Sequence, residues 1–468
     1  MIGVIAIRAR FHQSVSQVNV SERIPLRILP SKVSDRADTN VYRPFFLFGM
    51  LTVLTAGCLL GAIALLGISM SKSYTVLSWA PYIKAHANSQ LFGWVGFFVM
   101  GFAMQQHAPS IATTRSFHRL AWLALGLMAT GIVLRFLAEP LIRVDYAPWY
   151  SIGILSGVLQ ATAVVLFIYN VSVNKQRTGQ PLTWQTTFVF ASLFWLLVVA
   201  IAEPIAFALS HTQEAQANIL FTAKWMPPLR DAQFLGFVAM MIFGVSLTKL
   251  NSCFGAKPAY ESLARFAFLL WNLSLIVKMA GWLYAFEAGM TLLSRTIEFA
   301  ACLGLGTAAI LLIASSRTFE AFAESYRSHK FVRAAYFWLG VASIMLILEP
   351  LHLAATGNAF SHAYLGAIRH AVTVGFISQM ILGFGMHVVA RMNDLDERKL
   401  PQLWSVFILL NLGNAMRVGF EVMTDYTPTA FMPMGMTGFI ELTALAIWAA
   451  NVSRPLLSAG IRRAFSVS

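Results

Sequence analysis

The sequence predicts an all-α, polytopic membrane protein of about twelve transmembrane helices, arranged as three tandem four-helix pseudo-repeats. Three observations carry this prediction. Of 468 residues, 57% are hydrophobic and only 12% are charged, against about 25% charge in soluble domains, so the chain needs lipid as its solvent. Apolar stretches of roughly 20 residues, each able to cross about 30 Å of hydrocarbon, recur along nearly the whole length. Residue words also recur at a nearly fixed offset.

The spans fall near 44–70, 84–105, 119–139, 149–170, 185–203, 230–248, 265–286, 291–315, 333–351, 366–390, 402–424 and 430–452. None alternates with period two, so none reads as a barrel strand, and backbone groups in lipid must pair within their own segment. Residues 1–43 are basic and polar without the pattern of a secretory signal, and read as a cytoplasmic leader. Residues 44–452 form one transmembrane domain, with repeats at about 44–170, 185–315 and 333–452, and 453–468 read as a cytoplasmic tail. The three cysteines, Cys58, Cys253 and Cys302, are too scattered for a disulfide framework or a thiolate metal motif.

Lys and Arg accumulate on the cytoplasmic side of membrane proteins, which sets the orientation. With the N-terminus inside, 24 basic residues lie on the inside and 7 outside. The formal charge of +14 is therefore a topology signal and an attraction to anionic headgroups, and not a nucleic-acid footprint. Both termini are expected in the cytoplasm.

Three of the 34 basic residues remain, and all lie within spans: Arg135, Lys278 and Arg417. Gly93 and Gly101 precede Arg135, Gly236 and Gly244 precede Lys278, and Gly375 and Gly383 precede Arg417, always with spacings of 8 and then 34. The offset between copies is 143 and then 139 residues. The words around the first glycine agree: Phe92-Gly93-Trp94-Val95, Leu235-Gly236-Phe237-Val238, Val374-Gly375-Phe376-Ile377. Glycines so spaced let neighbouring helices approach closely.

A basic residue at the bilayer centre costs at least ~2.5 kcal/mol, so three at matching positions need partners. Glu139 and Glu421 stand four residues after Arg135 and Arg417, on the same helix face, and Trp282 stands four after Lys278. These are structural intrahelical pairs or a cationic ring suited to an anionic group such as a haem propionate. Glu139-Pro140, Glu203-Pro204 and Glu349-Pro350 read as stop signals closing spans 3, 5 and 9.

Among ten histidines, His12, His118, His329 and His211 fall in loops or flanking segments, and His107 and His387 end spans 2 and 10 at the inner face. His86 opens span 2 and His370 opens span 10, both on the outer side near the basic ring. Neutral imidazole is a usual axial ligand to haem iron and a common copper ligand, so this pair is the candidate metal or haem site; the alternative is an interfacial hydrogen bond to a loop. His352 and His362, in the outer loop before span 10, are candidates for an additional copper ligand.

The words Arg43-Pro44-Phe45-Phe46-Leu47-Phe48-Gly49, His86-Ala87-Asn88-Ser89-Gln90-Leu91-Phe92-Gly93 and His370-Ala371-Val372-Thr373-Val374-Gly375 resemble the NnrS family, bacterial inner-membrane proteins of about twelve spans. The resemblance implies haem b, copper and a link to nitric oxide metabolism or nitrosative stress, with nitric oxide or another small diatomic as ligand. It places His86 and His370 as ligands and Arg135 and Arg417 near the propionates. Where the family commonly carries His-x-His-Glu in span 2, this chain has Asn88 and Ser89 after His86. A more distant resemblance is to subunit I of the haem-copper oxidases, although spans 6 and 7 contain no histidine for a catalytic copper site. The other readings are a cofactor-free transporter or permease, or a diverged redox subunit.

Overall fold

The chain packs its apolar stretches as twelve helices, seen in a computed structural model that describes residues 40–74, 78–108, 114–177, 179 and 181–464. The expected leader up to residue 39, His12 within it, and residues 465–468 of the tail lie outside the described residues. Among the described residues every regular element is helical. We number the long helices α1 (Tyr42–Ser71), α2 (80–106), α3 (Thr114–Leu141), α4 (Tyr146–Arg177), α5 (Thr186–Ser210), α6 (Ala215–Phe254), α7 (Glu261–Ala288), α8 (Leu292–Ser316), α9 (His329–Thr356), α10 (His362–Met392), α11 (Trp404–Met423) and α12 (Phe431–Ala464). Eleven are long and apolar enough to cross a membrane, and α2 is the exception. Its first half carries Lys84, His86, Asn88, Ser89 and Gln90, which lower its hydropathy.

Helices α2, α6 and α10 form the centre. In the most apolar window of α10, 83% of residues are buried, against 33% in α7. The outer face of α7 shows why the difference matters: Leu269, Leu273 and Ile276 recur at helical spacing and are more than half exposed, a stripe fit for lipid and not for water. The central helices touch one another through Trp94 Nε1–H donating to Ser378 Oγ at 3.3 Å and through the rings of Phe243 and Phe376 at 5.6 Å. Around them α3 packs on α4, α7 on α8 and α11 on α12, while α12 also packs on α1 and closes the ring.

Each central helix is held by its predecessor through the paired glycines. A Cβ on Gly236 would lie 2.6 Å from Trp195 Cγ, one on Gly375 2.5 Å from Trp338 Cγ, and one on Gly93 2.3 Å from Thr52 Cγ2. The second glycines, Gly101, Gly244 and Gly383, meet Phe45 and Phe46, Phe188 and Val189, and Phe331 and Val332. Real Cβ atoms do not approach this closely, so Gly236→Val is expected to separate α5 from α6 and lower stability by about 1–3 kcal/mol. Gly126→Ala, with nothing within 4 Å, should be neutral or slightly stabilising. Unfolding in detergent measures both, and equal stability of Gly236→Val and the parent protein would remove glycine packing as the reason for the pattern.

Among the described residues four helices contain a π-helical stretch: Val53–Gly57 in α1, Ser89–Gly96 in α2, Ala232–Ala239 in α6 and Ala371–Ser378 in α10. An i→i+5 turn re-aims the side chains and carbonyls beside it, and such turns concentrate at functional sites. At the other end of α10, Arg43 Nη2–H donates to Asn393 Oδ1 at 2.8 Å and Asn393 Nδ2–H donates to the Tyr42 hydroxyl at 3.0 Å, which ties the start of α1 to the end of α10.

Glu139-Pro140 closes α3, which ends at Leu141, but the other two Glu-Pro words do not stop their helices as expected. Pro140, Pro204 and Pro350 lie inside α3, α5 and α9, and α5 runs on to Ser210 and α9 to Thr356. A proline removes one backbone hydrogen bond, which a helix in a bundle tolerates when neighbours pack around it. Pro204 is so packed: a Cβ on Gly157 would sit 2.8 Å from its Cβ. Glu139 and Glu203 are buried, at 0% and 1% exposure, and basic partners account for it: Arg135 on the same helix and His211 for Glu139, Arg135 and Arg230 on other helices for Glu203.

Candidate functional site

Each intramembrane cation has carboxylates around it. Arg135 Nε lies 2.9 Å from Glu139 Oε1, its helical neighbour, and Arg135 Nη2 lies 3.5 Å from Glu203 Oε2 on α5. Arg230 on α6 approaches Glu203 Oε1 at 3.6 Å, and His211 Nε2 approaches Glu139 Oε2 at 3.0 Å. The Arg135 guanidinium also lies over the Phe207 ring, 4.4 Å from its centroid. Two arginines and two glutamates thus balance one another with little water present, the condition under which buried charge is tolerated.

Lys278 differs from expectation. Its partners are Asp231 on α6, at 3.5 Å, and Glu298 on α8, at 3.7 Å. Trp282 donates its indole N–H to the carbonyl of Lys224 at 3.1 Å. An ammonium needs carboxylate more than ring contact, and α7 offers no acid one turn on, so the partners come from neighbouring helices. A small cleft of about 70 Å³ opens here, lined by Asp231, Lys278, Trp282, Glu298 and Arg369 among others.

The third cation is the least satisfied. Arg417 Nη2 lies 3.0 Å from Glu421 Oε1, but Arg417 Nε and Nη1 are buried without a hydrogen-bond partner. So are Glu441 Oε1 on α12 and both amide atoms of Asn414. Buried polar atoms are seldom left unpaired, and a concentration of them marks a place suited to a polar ligand group.

The two candidate histidines stand beside this cluster. His370 Nδ1 lies 2.9 Å from the Gly366 carbonyl and 3.4 Å from Glu421 Oε2. His86 Nδ1 lies 2.8 Å from the Gly57 carbonyl. Gly57 ends the π-helical stretch of α1 with φ −81° and ψ −107°, outside the helical region, and this distortion makes its carbonyl available across the helix interface. With Nδ1–H donated to a carbonyl, each ring keeps Nε2 as an acceptor, the arrangement by which proteins orient a histidine toward a metal. The two rings interact electrostatically with each other and His86 also with Arg417, so they share one region of the interior. Neither is fully buried, and the side chain of His370 keeps 30% exposure although its helix is the most enclosed. Glycines make the room: a Cβ on Gly61 would sit 2.5 Å from His86 Cε1, and one on Gly366 2.3 Å from Glu421 Oε1.

The structure therefore brings His370 and Arg417 to one carboxylate, Glu421, with His86 in electrostatic reach of both, whereas Arg135 pairs with Glu139 and Glu203. His352 is already engaged at both nitrogens, by Asp425 Oδ2 at 2.7 Å and the Tyr426 hydroxyl at 3.4 Å. His362 is exposed against Phe360. Asn88 closes a reciprocal pair of hydrogen bonds with Gln160, at 3.1 and 3.0 Å. Among the described residues no group of three or more His, Cys, Asp or Glu comes together to hold a metal ion. Glu441 and Asn414 escaped sequence reasoning because a lone acid or amide in an apolar helix has no spacing signature. Asp231 had one: it stands 143 residues after Asn88 and 139 before His370.

No protein-family model matches the chain, and no curated protein matches it.

Proposed function

We propose that the chain is a haem-binding membrane protein of the NnrS type, seated in a bacterial inner membrane with both termini cytoplasmic and linked to nitric oxide metabolism or nitrosative stress. The observation that supports it is the pair of half-buried imidazoles, His86 and His370, each fixed through Nδ1 to a backbone carbonyl and each keeping Nε2 as an acceptor. Haem bound there would supply an iron centre for a small diatomic ligand and one-electron chemistry. The chain's own part is to orient the imidazoles, to meet propionate charge with the unpartnered nitrogens of Arg417, and to keep bulk water out with the apolar helices around α10.

The same reading includes three tandem four-helix repeats. Their support is the register of the π-helical stretches in α2, α6 and α10, which begin at residues 89, 232 and 371, with the same offsets as the glycine pairs and the intramembrane cations. Equivalent helices then occupy the centre, and their substitutions diversify one ancestral position into Asn88, Asp231 and His370.

Purified in mild detergent after expression with ample haem supply, the protein is expected to show a Soret band that sharpens on reduction, because two neutral imidazoles favour low-spin iron. A colourless, haem-free and folded preparation would overturn the haem reading and favour a permease, for which the charged cleft at Lys278 is the natural pathway.

A further inference from the structure

The far end of α10 carries a second buried histidine with a different set of partners. His387 is 4% exposed, and its Nδ1 lies 2.7 Å from Glu397 Oε2. Glu397 follows α10 in the short turn Glu397–Lys399, and its other oxygen accepts the Ser328 backbone N–H at 2.8 Å. Burial alone would raise the Glu397 carboxyl, but its hydrogen bonds with His387 and Ser328 hold it below the usual range, so it stands as a carboxylate. The rings of Phe254 and Tyr326 wall the imidazole at 4.5 and 5.4 Å.

The second nitrogen of that imidazole has work available. His387 Nε2 is buried and has no partner in hydrogen-bond geometry. Cys253, near the end of α6, immediately precedes Phe254, whose ring packs on the imidazole, and the Cys253 thiol interacts electrostatically with that imidazole. Cys253 is half-buried, whereas Cys58 and Cys302 are buried. The charged and titratable groups facing this corner from the packed elements are Glu397, Lys249 on α6, and His329 and Arg333 on α9. A thiol, a base and a carboxylate that orients the base make up the arrangement that activates a nucleophile.

We propose that Cys253, His387 and Glu397 form a nucleophilic thiol site that is oxidised by hydroperoxides. His387 Nε2 takes the proton from Cys253 Sγ, and the sulfur lone pair attacks one peroxide oxygen. The S–O bond forms as the O–O bond breaks, and the departing oxygen takes the proton back from the imidazolium and leaves as water or an alcohol. Sulfur is oxidised by two electrons to the sulfenic acid while the peroxide is reduced by two, so the step balances. Glu397 holds the ring in the required tautomer and stabilises its protonated form. A small neutral oxidant suits a base walled by Phe254 and Tyr326, and its leaving group needs the proton that His387 holds.

The test uses the full chain in nanodiscs, with iodoacetamide for the thiol and dimedone to trap sulfenic acid after addition of hydrogen peroxide. At pH 6.5 Cys253 should react while Cys58 and Cys302 do not, because reactivity follows exposure and thiolate character. His387→Gln should slow alkylation at pH 6.5 by about tenfold or more, with Glu397→Gln intermediate, and both should approach the parent rate at pH 9.5, where solvent base replaces the imidazole. Dimedone should label Cys253 in the parent protein and leave Cys253→Ser unlabelled. If Cys253 of the parent protein alkylates no faster than a free thiol at pH 6.5 and traps no dimedone, the proposal is wrong whatever the variants do. A His387→Gln protein that folds and keeps the parent rate at pH 6.5 would remove His387 from it.

Discussion

On the proposed haem reading, His370→Ala and His86→Ala are each expected to cut the low-spin haem signal by about tenfold or more while the protein still inserts as twelve helices, because the proposed ligand nitrogen is lost but no apolar face changes. Gly61→Ala should act in the same direction without touching a ligand, since its Cβ would lie 2.5 Å from His86 Cε1 and push the ring aside. His211→Ala and His352→Ala are the informative controls. Both imidazoles are engaged by acids, His211 by Glu139 and His352 by Asp425, so their loss should affect stability and leave the spectrum in place. His387→Ala should likewise keep the haem. The measurement is the reduced-minus-oxidised spectrum of equal amounts of folded protein. Loss of haem from His387→Ala with retention in both His86→Ala and His370→Ala would move the site to the wrong end of the bundle.

How legible these features were depends on whether they leave a periodic trace. Helical class follows from solid apolar length without period-two alternation, and twelve helices appear where twelve were expected, eleven of them long and apolar enough to cross a membrane. The glycine pairs were legible as close-approach points because their spacing repeats, and each does meet a side chain of the preceding helix. The pairs Arg135–Glu139 and Arg417–Glu421 were legible because a spacing of four places both members on one face. What stayed hidden involves contacts between helices far apart in sequence. Glu203 pairing with Arg135 spans 68 positions of chain, and its adjacent proline suggested a helix end, when the acid is buried by the company of two arginines. The hydrogen bond from His86 to Gly57 depends on a π-helical distortion in α1, for which hydropathy gives no signal. Cys253 at the end of α6 and Glu397 in the turn after α10 each look ordinary, and only the fold brings Glu397 onto the His387 imidazole and Cys253 within its electrostatic reach.

Arg135→Leu is expected to destabilise the protein by about 3–5 kcal/mol, the usual cost of stranding a buried carboxylate. Glu139 is 0% exposed and would retain His211 as its one paired group with Lys84 at longer range, while Glu203 would retain Arg230 and Gln233. The loss therefore concentrates on Glu139, and adding Glu139→Gln to Arg135→Leu should recover a substantial part, because a neutral amide needs no counter-charge. Lys278→Met should cost less. Its partners Asp231 and Glu298 keep 21% and 24% side-chain exposure and lie 3.5 and 3.7 Å away, so they are less enclosed and less tightly paired than Glu139, and losing the ammonium strands them less. Arg135→Lys should fall between the two, since an ammonium preserves charge but cannot present a planar fork to Glu139 and Glu203 together. Unfolding in mixed micelles gives the order directly. Equal losses for Arg135→Leu and Lys278→Met, or no recovery in the Arg135→Leu/Glu139→Gln protein, would show that packing of the long side chains over Phe207 and its neighbours, and not stranded charge, sets the cost.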